Sequence, residues 1–313
     1  MEHRRLGVEG PEISVVGFGS WEAGGTHWGA NTSERDVIEA IHAGLDAGMT
    51  WIDTAEVYGD GESERIVGRA LAGRDDVLVF TKVAPDEGSG LRPEQVRSAI
   101  EGSLARLGRD HVDLYQVHWP DDDVPVEETW GAMAELVERG LARHIGVSNF
   151  GRDLIERCMR IHTVTSVQNE FSLLYRGDAG ELLPWLRDQG IGYLAYSPLA
   201  AGRLTGAIRA GHRFGPDDWR SGAGRFADWR TDGEEWPFDP DALERDLEVV
   251  ERLRVRADLV GATVAQLALR WAIDQPGVTA VIAGSRDPAH TRGNAGAGSI
   301  ALDRETAAGF EAA

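Results

Sequence analysis

From end to end the chain alternates short apolar runs with longer stretches of helical periodicity, and few folds accept that alternation. Apolar runs read as buried strands at residues 15–19, 51–53, 77–82, 112–118, 144–148, 166–171, 191–196 and 279–283. Helical periodicity fills the gaps at 33–48, 66–71, 93–107, 126–139, 152–162, 179–189 and 261–274. Ser33 with Asp36 three residues later marks the first helix start, and Val37, Ile38, Ile41 and Leu45 make its apolar face. Eight strands separated by helices predict an α/β fold, a closed (β/α)8 barrel of the TIM type; an open doubly wound sheet would use about five to seven. Residues 4–13 read as an N-terminal β-hairpin turning at Gly10-Pro11. A long insertion after strand seven, roughly residues 201–240, is rich in Gly, Pro, Asp and Trp, and Trp219, Trp229 and Trp236 predict ordered contacts within it. No linker or short repeat divides the sequence, so residues 1–313 are expected to form a single barrel domain.

Composition then narrows the function. Hydrophobic residues make up 42% of the chain, enough for a large core. No apolar run approaches the ~20 residues of a membrane span, and the N-terminus has no apolar signal region, so a cytoplasmic protein is expected. A net charge of −20 argues against nucleic acid or an anionic membrane as partner. One cysteine, Cys158, excludes internal disulfides and multi-thiolate metal sites. Lys82 is the only lysine among 32 basic residues, and it ends an apolar strand. That makes it a candidate for a role an always-charged guanidinium cannot fill.

The stretch Trp51-Ile52-Asp53-Thr54-Ala55-Glu56-Val57-Tyr58-Gly59 leaves an apolar strand for a carboxylate and, five residues later, a tyrosine. Alone, it fits an aspartate capping a turn beside a half-buried aromatic. The next two strands change its meaning, because Lys82 ends strand three and His118 ends strand four. Side chains from consecutive strand C-termini converge on the face where barrel enzymes carry their chemistry. Asp53, Tyr58, Lys82 and His118 are therefore the catalytic candidates.

The run IDTAEVYGDGESERIVGRAL, followed in order by VFTKV, DLYQVHWPD, IGVSNF, VQNEFSLL, AYSPLAAGRLTG and IAGSRDPAH, resembles the aldo-keto reductases over nearly the whole chain. The resemblance implies a barrel binding an extended nicotinamide dinucleotide and reducing an aldehyde or ketone to an alcohol, with Tyr58 as general acid. The chemistry has its own logic. Hydride addition to a carbonyl develops an alkoxide, which needs a proton donor and a nearby cation. A lysine cation ~4 Å from a phenol, at an effective dielectric of ~20, favours the phenolate by ~4 kcal/mol or about three pKa units; burial opposes it, so this is an upper figure. Asp53 would hold Lys82 charged and aimed, and His118 would orient or help protonate the carbonyl.

Cofactor positions also follow from the resemblance. Ser148, Asn149 and Gln168 match the family's carboxamide contacts, and Tyr196 matches the aromatic that stacks on the nicotinamide. Ser197, Leu199 and Gly202 fall where the pyrophosphate is held; Gly284, Ser285, Arg286 and Asn294 lie in the adenosine-phosphate segment. Asp287-Pro288 reads as the start of a short helix whose amino end suits an anion. The segment departs from the family at Gly284, where lysine is common, at His290, where arginine or glutamine is usual, and at Gly293, where an adenine-binding glutamate is common. NADP (NADPH) is expected on the strength of Arg286, with NAD left open.

Trp21, Trp28 and Trp119 are candidates for lining a carbonyl pocket, although each also fits plain packing. A small-molecule substrate is expected, to a monomer or homo-oligomer, and no metal. Asp121-Asp122-Asp123 reads as a solvated loop, because hard-cation sites space their ligands. Gly59–Glu64 mimics a dinucleotide glycine loop but lacks its third glycine. A dinucleotide-binding regulatory subunit, resembling the potassium-channel β subunits, is the competing class.

Overall fold

The structure, a computed structural model, describes residues 1–25, 27–29, 33–85, 90–229 and 235–302. Eight parallel strands close into a barrel: β3 (Val16–Gly19), β4 (Trp51–Asp53), β5 (Leu78–Val83), β6 (Val112–Val117), β7 (Ala142–Ser148), β8 (Ser166–Glu170), β9 (Gly192–Tyr196) and β10 (Ala280–Ile282). The expected strands are all present, with ends differing by one or two residues. Before them, β1 (His3–Arg5) and β2 (Glu12–Ser14) pair antiparallel as the expected hairpin.

Side chains along a strand alternate in direction, and that period of two builds the interior in layers. Trp51, Phe80, Leu114, Leu194 and Ala280 form an apolar layer inside the barrel, joined by Leu6 and Ile13 from the hairpin side. The hairpin therefore adds its apolar residues to the same interior cluster. Two residues further along β4, β5 and β6 the same inward direction belongs to Asp53, Lys82 and Gln116. A dry layer thus carries a polar one above it. The outward residues, among them Val79, Val83, Tyr115, Val117 and Val147, pack against the surrounding helices in a second, larger cluster.

The helices end as their sequences direct. Ser33 Oγ accepts the Asp36 N–H at the start of α1 (Glu34–Asp46). Pro93 opens α3 (Pro93–Leu107), the helix that follows α2 (Glu62–Ala70). The sequence pattern also predicts α4 (Val126–Glu138), α5 (Arg152–Met159) and α6 (Leu182–Gln189). A 21-residue helix, α7 (Pro240–Val260), has no counterpart in the sequence reading. Its buried residues are sparse, chiefly Leu243, Val250, Leu253 and Ala257, while Val255 and Leu259 are exposed; a broken stripe hides the helical period. A Thr263–Gln266 capping box then starts α8 (Val264–Asp274), and α9 (Pro288–Gly296) completes the chain's helices among the described residues.

Within the insertion Trp219 and Trp236 make the ordered contacts expected of them, while the Trp229 side chain lies outside the described residues. Ile208, Trp236, Phe238 and Leu243 form a cluster to which Phe214 and Trp219 attach. Part of it also pairs with the loop after β3: Trp28 bridges Asp218, the Trp219 N–H donates to the His27 carbonyl at 2.9 Å, and the Gly29 N–H donates to the Asp217 carbonyl at 3.1 Å. Among the described residues no helix is long and apolar enough to cross a membrane.

Candidate active site

The polar layer is a closed hydrogen-bond set. Lys82 is fully buried, and its ammonium has three N–H donors with three acceptors: Asp53 Oδ1, the Thr54 carbonyl at 2.9 Å and Tyr58 Oη at 3.5 Å. Asp53 Oδ2 accepts from Gln168 Nε2 at 2.9 Å and from Gln116 Nε2 at 3.3 Å. Gln168 Nε2 also donates to Gln116 Oε1 at 3.2 Å, so both of its N–H groups are used and only Oε1 remains to accept. Gln116 and Gln168 meet across β7, where Gly146 stands between them; a Cβ there would lie 2.7 Å from Ser166 Oγ and 3.4 Å from Gln116 Cγ. The sequence reading missed Gln116. Its signal was there, since Leu114, Gln116 and His118 share one parity.

Tyr58 sits in the loop after β4, and hydroxyls tie the start of that loop to its neighbours. Ser63 Oγ donates to the Ser20 carbonyl at 2.8 Å and contacts Thr54 Oγ1 at 2.9 Å, while Ser20 Oγ donates to the Asp53 carbonyl at 2.9 Å. Gly24 lets the chain pass close by: a Cβ there would lie 2.7 Å from the Gly59 nitrogen. Burial first, and then the Asp53 carboxylate, hold the Tyr58 phenol well above its ordinary value. This differs from the net lowering the lysine alone would give. Asp53 already balances the Lys82 charge, so the pair offers the phenol little net cation. Burial also lowers the Lys82 ammonium, with Asp53 pulling it back toward the charged form.

His118 follows the last residue of β6, with its ring 5.6 Å from that of Tyr58. Burial and then the Lys82 charge hold the imidazole well below its ordinary value, which keeps it neutral at neutral pH. Its Nδ1 is buried and has no hydrogen-bond partner among the described residues.

Beside it lie the residues matched to the carboxamide. Ser148 Oγ donates to the Gln168 carbonyl at 2.7 Å. Asn149 Nδ2 donates to the His118 carbonyl at 2.9 Å, and Tyr196 Oη donates to Asn149 Oδ1 at 2.8 Å. These contacts fix the Tyr196 ring at the barrel mouth. Asn149, Ser197, Ala200 and Ala201 all have positive φ, between 49° and 61°, just past strand ends. Leu199 caps the turn Ala200–Thr205, where Gly202 adopts φ 98°. Left-handed non-glycine residues cost about 1–3 kcal/mol each and gather where a ligand is gripped.

The far segment is less open to an anion than the sequence implies. Arg286 Nη2 donates to the Trp28 carbonyl at 3.0 Å, and its Nε lies 3.5 Å from Glu22 Oε2. Burial pushes the Glu22 carboxyl up, with Arg286 and Arg220 pulling it back in part. The amino end of α9 is filled by its own cap: Asp287 Oδ1 accepts the N–H groups of Ala289 at 2.6 Å and His290 at 3.0 Å. Ser285 Oγ accepts the Asp287 N–H at 3.1 Å. A Cβ at Gly284 would lie 2.5 Å from the Gly19 carbonyl oxygen, so close backbone approach accounts for glycine there. Asn294 is buried within α9.

At the rim, Trp21 lies 6.4 Å from Tyr58 between ring centres and 4.9 Å from Trp28. Trp28 is buried, covered by Trp219 and by the Arg220 guanidinium 4.9 Å above its ring. Trp119 is 49% exposed and stacks beside His118. Trp219, brought in by the insertion, also faces Trp21 at 5.7 Å and belongs with this wall.

A parallel barrel whose strand ends bring a carboxylate, a buried ammonium, a phenol and an imidazole together is the body of an enzyme. Known proteins agree with that class. The Aldo/keto reductase family model matches residues 15–313. The aldo-keto reductase YhdN of Bacillus subtilis is 37% identical over 297 residues, covering 92% of this chain and 86% of YhdN. The glycerol dehydrogenase AKR11B4 of Gluconobacter oxydans superposes with a TM-score of 0.84 at 32% identity, over 99% of this chain and 94% of the other. An aldo-keto reductase of Klebsiella pneumoniae, solved in complex with NADPH, gives a TM-score of 0.77 at 30% identity, over 100% and 95% of the two chains. The chain belongs to the aldo/keto reductase family.

Proposed function

We propose that the protein reduces an aldehyde or ketone to an alcohol using NADPH, with NADH as a second cofactor, and that Tyr58 is the proton donor. The observation that carries this reading is the fully buried Lys82, whose ammonium joins Asp53 on one side to the Tyr58 hydroxyl on the other. When bound, a nicotinamide dinucleotide supplies the hydride. The Klebsiella pneumoniae structure, which contains NADPH, supports that cofactor class. Ser148, Asn149, Gln168 through its remaining Oε1, and Tyr196 would hold the nicotinamide end. The left-handed turn from Ser197 to Gly202 fits the phosphates, and the unpartnered His118 Nδ1 fits a polar ligand atom beside the tetrad.

The chain's own part is proton control. As the carbonyl carbon gains hydride, its oxygen gains charge and takes the proton from Tyr58 Oη. A raised phenol keeps that proton until an alkoxide, a far stronger base, is forming. The phenolate left behind faces Lys82, held by Asp53, which is itself fixed by Gln116 and Gln168. Neutral His118 orients the carbonyl without competing for the proton. Trp21, Trp28, Trp119 and Trp219 shape an apolar approach.

A panel of aldehydes and ketones, followed by NADPH and NADH absorbance, tests the reading. Turnover of at least one carbonyl is expected. Tight NADPH binding with no turnover across the panel would point instead to a dinucleotide-binding regulatory subunit.

A further inference from the structure

One acidic residue near the expected cofactor site has no place in the proton chemistry. Glu22 lies in the 3-10 turn Trp21–Gly24 that follows β3, with its side chain 26% exposed and Oε2 3.5 Å from Arg286 Nε. The same guanidinium donates to the Trp28 carbonyl, so the β3 loop holds it by charge and by hydrogen bond together. A second carboxylate, Asp287, occupies the amino end of α9 next door. The segment expected to meet the adenosine phosphate therefore carries its cation already balanced and its helix end already filled.

We propose that Glu22 is a specificity-determining residue, which matches the charge of Arg286 and so narrows the preference for the phosphorylated dinucleotide over NADH. The inference rests on the reading of Arg286 as the phosphate contact. A phosphate within ~4 Å of Arg286 Nε lies within ~8 Å of Glu22 Oε2, about one Debye length at physiological salt, so the repulsion is not screened away. NADH lacks that phosphate and is spared most of the penalty. Because both side chains are partly exposed, the effect belongs to the modest end of charge interactions, about two- to fivefold in affinity.

Fluorescence titration with NADPH and with NADH reads it directly, in the wild type, Glu22→Gln, Arg286→Ala and the double variant. Glu22→Gln should tighten NADPH about two- to fivefold and leave NADH nearly unchanged. That gain should vanish when Arg286 is absent, and Glu22→Ala should repeat the direction. An unchanged NADPH-to-NADH ratio in both Glu22 variants, with Arg286→Ala still weakening NADPH selectively, overturns the role of Glu22 alone. A gain that survives Arg286→Ala overturns the pairing. If Arg286→Ala weakens both cofactors equally, the phosphate assignment itself falls, and the role of Glu22 with it.

Discussion

The centre of the barrel and its rim are held by different means. In the centre, Asp53, Lys82, Gln116 and Gln168 come from four strands, are buried, and are bonded to one another and, through Lys82, to Thr54 and Tyr58. At the rim, Glu22, Trp28, Arg220 and Arg286 come from loops and are joined by contacts such as Arg286 to Trp28, 258 residues apart. A buried, satisfied network has no alternative geometry of comparable energy, whereas half-exposed pairs exchange partners at little cost. On the function proposed above, the proton path is built on the rigid part, and cofactor and substrate choice on the adjustable part.

That contrast can be broken most forcefully at Lys82. Lys82→Met removes the cation at the barrel's centre and leaves Asp53 charged and short of its partner. Turnover should fall by at least the ~10²–10⁴ that general acid catalysis supplies, measured as steady-state kcat. Near-wild-type rates would mean that this lone lysine serves the fold rather than the reaction.

Gln116 sharpens the comparison. Gln116→Leu removes one donor from Asp53 Oδ2 and the acceptor of Gln168. A hydrogen bond to a charged group contributes ~1.5–3 kcal/mol, so kcat should drop about tenfold or more while NADPH affinity barely moves. Equal losses in both would place Gln116 in cofactor binding instead.

The smallest effect is a pH dependence of stability at the boundary between the two regions. His118 is held neutral in the fold, with its pKa well below the ordinary 6.5 that the unfolded chain retains. Below that pH the unfolded chain takes up a proton that the folded chain refuses. The stability is therefore present above 6.5 and is lost as pH falls toward the folded value, at no more than about 1.4 kcal/mol per pH unit. Thermal melts of wild type and His118→Phe between neutral and acid pH should converge as the wild type loses this term. Parallel curves would mean His118 is not held neutral.

The sequence made the centre legible and the rim only in part, for physical reasons. Asp53, Lys82 and His118 each stand where an apolar strand ends, so period and polarity alone single them out. Gln116 went unread because one polar residue inside an apolar strand passes for an ordinary edge position until its parity is compared with Leu114. The helix α7 went unread because exposed Val255 and Leu259 blur its stripe. The Glu22–Arg286 pair has no local signature, since its partners meet only when the barrel closes β10 against β3.

The central claim is that Tyr58 donates the proton. Tyr58→Phe keeps the ring and its packing beside Trp21 and deletes only the hydroxyl. Single-turnover hydride transfer and NADPH fluorescence titration measure rate and affinity separately. The account predicts a rate loss of at least ~10²–10⁴ with cofactor affinity nearly unchanged, because Ser148, Asn149, Gln168 and Tyr196 are untouched. A variant that reduces carbonyls at close to the wild-type rate would contradict it.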